Sequence, residues 1–242
     1  MRTAYREDLD DFAHDLIVMC DTVRAVMDKA SDALLRGSLQ SAEDALSHED
    51  TLAEIRARSE ERAVNLLALE HPTPSDLRQV ISSIYIVNDF NRMGRLAMHI
   101  ANTARKRHPE TAIPEAVGAY FAELHRLVGE MSAKTRGVLV EPDTDVALDM
   151  AEDDDAVDEL YHHLVALVSR EDWEYSSKEA VDVAMLAREY ERYADHCVAV
   201  ASRIVYLITG MKPEEYLDET PAPELDTPQR FEELRRLYWT GA

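Results

Sequence analysis

Apolar residues recur along this chain at alternating intervals of three and four, through segment after segment. Near the C-terminal end the run is Tyr190, Ala194, Cys197, Ala201, Ile204 and Ile208. Val146, Met150, Asp153, Val157, Leu160, Leu164 and Leu167 follow the same rule, as do Val87, Phe90, Gly94, Ala97, Ala101 and Ala104. That spacing marks helices that pack along their length, knobs entering holes at crossing angles near ~20°. Breakers separate the runs: Gly37-Ser38, His71-Pro72-Thr73-Pro74, His108-Pro109 through Pro114, Glu141-Pro142-Asp143, and Glu171 to Ser177. They predict long helices near 3–35, 38–69, 74–107, 114–138, 143–169 and 177–209, with a short one over about 228–238. Start signals agree. Thr73-Pro74-Ser75-Asp76 places a capping hydroxyl before a proline at the first helical position, and Ser176 with Glu179 forms a capping box. Arg105, Lys106 and Arg107 close the third helix, where cations suit the negative end of its dipole.

Short connections force neighbouring helices antiparallel, so the expected fold class is all-α. The order also repeats. Shifted back by a hundred positions, the sixth helix lies on the third: Arg192 on Arg92, Ala201 on Ala101, Tyr190 on Phe90, Ala194 on Gly94 and Val181 on Ile81. The expectation is two tandem three-helix bundle repeats, six long antiparallel helices in all. Residues 1–110 form the first repeat, 111–212 the second, and 213–242 a C-terminal tail with a short helix.

Charge narrows the function. Lys and Arg number 26 against 48 Asp and Glu, a net −22. A nucleic-acid binder needs clustered cations to neutralise phosphates, and an anionic membrane surface makes the same demand. Neither partner is expected, and no apolar run approaches the ~20 residues of a membrane span. Gly 7 and Pro 9 are low for 242 residues, which disfavours turn-rich β folds and glycine-loop nucleotide sites. No P-loop, Rossmann fingerprint or nucleophile elbow is found. Cys20 and Cys197 stand among apolar helical neighbours and read as buried reduced thiols. Met1 to Asp10 lacks the apolar stretch of a signal peptide, so a cytoplasmic location is expected.

The candidate chemistry lies in acids spaced four apart. Asp154 with Asp158, and Glu191 with Asp195, each share a helix face. Asp154 and Glu191 are equidistant from the turn at Asp172–Trp173, roughly 28 Å along each helix at ~1.5 Å per residue. Antiparallel packing therefore gathers four carboxylates on one flank. Two readings compete. Acids are so common here that pairs four apart arise by chance, and the flank reads as a solvated acidic face. Alternatively, a divalent or trivalent cation with oxygen ligands relieves the mutual repulsion. One Glu-x-x-His is present, Glu159 with His162, where a di-iron bundle needs two. Gly94 reads as a close helix approach, and Trp173 with Tyr175 as a cap on the bundle end. Tyr238 and Trp239 in the tail are read as either docked on the bundle or open to a partner.

Leu186 through His196, running on to Ile204–Gly210, resembles the signature helix of the PhoU family, and Asp154 through Tyr161 resembles its preceding helix. Leu67, Pro72, Leu77, Arg78 and Ile81 fit as well. The resemblance implies two three-helix repeats that bind metal at a Glu/Asp-x-x-x-Asp motif in each, and no catalytic activity. It implies a cytoplasmic negative regulator of the phosphate-starvation response, an adaptor between the ATPase subunit of a phosphate ABC transporter and a sensor histidine kinase. Self-association as a homodimer is expected on the same ground. Glu191 and Asp195 match the motif of the second repeat, with Asp154 and Asp158 on its partner helix, and the metal is a divalent or trivalent ion of unspecified identity. The first repeat departs from the pattern: Asn91 and Arg95 stand where the family has acids, and Glu49 matches while Ala53 does not. One metal site is expected. The opposing reading is a metal-dependent carboxylate enzyme built on a helical bundle.

Overall fold

The computed structural model describes residues 2–69, 73–212 and 215–216. These residues are almost wholly helical, with no strand among them. In chain order they form α1 (Arg2–Arg36), α2 (Leu39–Leu46), α3 (Glu49–Leu69) and α4 (Pro74–Arg107). A single 3-10 turn (Glu115–Val117) leads into α5 (Gly118–Val140), followed by α6 (Thr144–Val168) and α7 (Ser177–Thr209). The short helix expected over 228–238 lies outside the described residues.

The second helix, expected to run unbroken over 38–69, is interrupted at Ser47–His48. The cause is local competition for one carbonyl. In an uninterrupted helix the His48 N–H would donate to the Asp44 carbonyl. Here Ser47 Oγ donates to that oxygen at 2.7 Å and His48 Nδ1 reaches it at 2.8 Å, while the His48 N–H turns to the Ala45 carbonyl. Glu49 and Asp50 then place carboxylates in the first turn of α3, where the helix dipole favours them.

Elsewhere the start signals act as read. Thr73 accepts from the Asp76 N–H while the Asp76 carboxylate accepts from the Thr73 N–H; Ser176 and Glu179 do the same for α7. The α7 helix stops at Gly210, whose φ of 77° is the left-handed region that costs a glycine little. The helices close around one continuous apolar core that draws on both halves of the chain. Tyr190 and Phe90, a hundred positions apart, are both fully buried, and the extra hydroxyl of Tyr190 meets Ser31 at 2.7 Å. Gly94 is a close approach: a Cβ there would sit 2.7 Å from the Leu52 methyl group. Cys20 and Cys197 are buried free thiols, and burial pushes both up to about 12.

The two halves meet chiefly along α4 and α7, which run antiparallel. Polar rungs cross this seam. His196 Nδ1 lies 3.0 Å from Asp89, His99 3.4 Å from Glu189, and Arg107 Nε donates to Asp182 at 2.7 Å. At the far end Arg203 stacks 4.2 Å over the ring of Tyr85. Trp173 packs against the core at the α6–α7 turn with Tyr175 beside it, the rings 5.0 Å apart.

Candidate metal centre

Helices α6 and α7 pack closely along their length. Their apolar positions Met150, Val157, Leu164, Tyr190, Ala194 and Cys197 are fully buried, which fixes the rotation of both helices. Asp154, three before Val157, and Glu191, three before Ala194, are thereby carried to one flank. Asp154 and Asp158 are partly buried there, Glu191 is only 7% exposed, and Asp195 is open to solvent.

The structure brings the four carboxylates within electrostatic reach of one another. Asp154 is raised from its ordinary 3.8 to about 7, first by burial, then by the charges of Asp158, Asp195 and Glu191. Glu191 is raised as well: burial comes first, Asp195 and Asp158 add to it, and the Arg188 guanidinium opposes it. Asp154 Oδ1 and Glu191 Oε2 are buried and accept no hydrogen bond. A buried carboxylate oxygen without a donor is costly, and a hard cation is one partner that could meet it. The donor set, all carboxylate oxygen, fits such an ion. The side chains themselves stand short of a ligand shell: among the described residues no three His, Cys, Asp or Glu side chains converge on a common point. Glu191 Oε1 is instead held by Arg188, whose guanidinium also lies 5.5 Å from the ring centroid of Tyr161.

The equivalent flank of the first repeat is differently equipped. Glu49 is exposed at the start of α3, Asn91 is partly buried, and Arg95 is exposed on α4. Among the described residues neither Glu49 nor Arg95 forms a salt bridge. Glu159 and His162, the one Glu-x-x-His, both face outward on α6.

Three features escaped the sequence reading. The spacing of three between Arg188 and Glu191 does not single Arg188 out, since it is as common on an exposed helix face as in a site. Asp153, read as part of an apolar seam, is instead partly buried and paired with Lys134 of α5. Nothing in the seam pattern signals a partner from a third helix. Ile208, also read as a seam position, is 45% exposed.

This architecture, an all-helical tandem of three-helix repeats with an acidic flank in the second, defines a class that comparison identifies. The PhoU domain family model matches twice, over residues 16–104 and 121–204. The chain is 42% identical over 213 residues to a Mycobacterium tuberculosis protein named phosphate-specific transport system accessory protein PhoU homolog 2, covering 88% of this chain and all of that one. It is 42% identical over 215 residues to PhoU homolog 1 of Mycobacterium leprae, covering 89% of this chain and 97% of that one. The crystal structure of PhoU from Pseudomonas aeruginosa superposes with a TM-score of 0.79 at 26% identity, over 86% of this chain and 100% of that one. The chain belongs to the PhoU family.

Proposed function

We propose that this protein is a cytoplasmic regulatory accessory factor of phosphate uptake. It works by binding other proteins and not by catalysis. The reading rests on its match, over nearly the whole chain, to proteins named as accessory to the phosphate-specific transport system. Its partners are then the ATPase subunit of the phosphate transporter and a sensor histidine kinase, and its effect on the starvation response is negative. It acts as a homodimer. Among the described residues no helix is long and apolar enough to cross a membrane, which is consistent with an accessory that docks on a transporter from outside the bilayer.

Asp154, Asp158, Glu191 and Asp195 would hold a divalent or trivalent cation. The cation would supply positive charge where four carboxylates crowd, and so fix the relative position of α6 and α7. The chain's own residues already prepare this. Packing of Val157 and Ala194 aims the acids to one flank, and the Arg188 guanidinium opposes the rise that burial and its acidic neighbours impose on Glu191. The enzyme reading has no comparable support, since its one Glu-x-x-His faces outward.

The test is co-purification of the tagged protein from cells grown in phosphate-rich and phosphate-poor medium, with the bound proteins identified. Recovery of transporter ATPase and kinase is expected, and deletion of the gene should switch starvation genes on in rich medium. Recovery of neither partner, with unchanged expression on deletion, would overturn the proposal.

A further inference from the structure

Between α3 and α4 the surface carries a groove of about 220 Å³ whose lining includes Phe12, Arg56, Glu60, Ile84, Tyr85 and Asn88. Its walls continue beyond the cavity. On α3, Arg56, Glu60, Val64 and Leu67 follow at intervals of four, four and three, and so share a face. On α4, Ile81, Ile84, Tyr85 and Asn88 share another. Val64 is 63% exposed, Ile81 46% and Tyr85 48%. Ile208 of α7 is also exposed, and Arg203 of α7 stacks on Tyr85. Exposed apolar residues scattered singly need no explanation, but a contiguous row along a groove marks a binding surface.

The position of the groove points to its occupant. The α7 helix ends at Gly210, which lies against the Arg78 guanidinium in the first turns of α4, and Tyr216 packs back onto the core. The described end of the chain therefore lies near the first turns of α4, one wall of the groove. The sequence of the remaining residues, 217–242, fits. Thr227-Pro228 repeats the start signal of Thr73-Pro74. Beyond it Phe231, Leu234, Leu237 and Tyr238 fall on one side of a helix, with Glu232, Glu233 and Arg236 on the other. Pro228 to Tyr238 as a helix is ~16 Å long, the same as the groove wall from Arg56 to Leu67 at ~1.5 Å per residue. Residues 217–227 can span up to ~36 Å, ample to reach it. They carry Asp218, Glu219, Glu224 and Asp226 and no cation, and the guanidinium of Arg78, against which Gly210 lies, has a buried Nε without a partner.

We propose that residues 228–238 dock as an amphipathic helix in the α3–α4 groove of their own chain, covering Ile81, Ile84 and Tyr85. The test uses the full-length protein. Hydrogen exchange of residues 229–238 should be at least about tenfold slower than in the same segment as a free peptide. The double variant Ile84→Asp/Tyr85→Asp changes two exposed side chains, one of which also carries the Arg203 stack, and circular dichroism checks its fold. It should bring the segment back to the peptide rate. In the reciprocal variant, Leu234→Asp/Leu237→Asp, hydroxyl-radical oxidation of Tyr85 should rise several-fold. Exchange at the peptide rate in the parent overturns the proposal, as does protection that survives the groove variant. Shielding of Tyr85 that survives the tail variant but vanishes on dilution would assign the groove to a second copy, which also overturns it.

Discussion

The flank between α3 and α4 and the flank between α6 and α7 occupy equivalent places in two repeats of one design, and they differ in what their polar positions carry. In the second repeat, positions 154, 158, 191 and 195 are all acidic, and Asp154 is raised to about 7 first by burial and then by its acidic neighbours. In the first, the places of 191 and 195 are taken by Asn91 and Arg95. Both repeats contribute to the same core and keep the same helix order, so the backbone is indifferent to which set it bears. Electrostatic crowding is thus a property added to one copy of the scaffold, and the other copy serves as its internal control. An arginine among so few acids leaves nothing for a cation to neutralise.

The largest test of this contrast is metal content. Changing Glu191 and Asp195 together to alanine should remove essentially all cation that survives dialysis, whereas Asn91→Ala/Arg95→Ala should leave it at the parent level, both read by elemental analysis. Equal losses from the two variants, or none from either, would falsify the single-site assignment. The contrast can also be erased. Installing acids in the first repeat, Ala53→Asp with Asn91→Glu and Arg95→Asp, should raise the ratio of metal to protein toward twice the parent value. A ratio that stays at the parent value would mean that surroundings other than the four acids select the ion.

The smallest effect concerns stability without metal. The folded-state pKa of Asp154 is raised, so its charge opposes folding. The opposition is absent below about 4, grows as pH rises, and is complete once pH passes about 7. With chelator at pH 8, Asp154→Asn should therefore stabilise the protein by ~1 kcal/mol, a modest figure because the carboxyl is only partly buried and water screens the rest; that is a rise in Tm of ~2–4 °C. At pH 4 the gain should vanish. A fall in Tm at pH 8 would show that the crowded acids are not strained. Glu191→Ala/Asp195→Ala should by the same logic melt no earlier than the metal-free parent.

The helices and their order were legible in the sequence because the signals were local. Thr73-Pro74 and Ser176 with Glu179 cap where they stand, whatever surrounds them. The four acids were legible as a group because equal distance from a turn is enough to set level across an antiparallel pair. What escaped depended on atoms the spacing does not encode. The break at Ser47–His48 arises from two side chains outbidding a backbone N–H for the Asp44 carbonyl, in a segment whose apolar periodicity runs on undisturbed. Asp153 could occupy an apolar row because Lys134 meets it from α5, a helix that row does not mention. The groove beside α3 was invisible for a related reason: Ile81 and Tyr85 have the composition of core residues, and only the packed neighbours show that Ile81 stays exposed and that Tyr85 is half exposed beneath Arg203.

The seam of α4 against α7 bears on how the chain reaches its native state. Its rungs join residues about a hundred positions apart, Asp89 to His196 and Glu189 to His99. Such pairings close long loops, and their entropy cost falls before any reward arrives, which slows a helical fold that would otherwise be quick. Once formed, they make the link between the repeats dispensable as a tether. A chain cut in the connection between α4 and α5 would leave two fragments, each with half of one core exposed, and the shared interior is what would draw them back together.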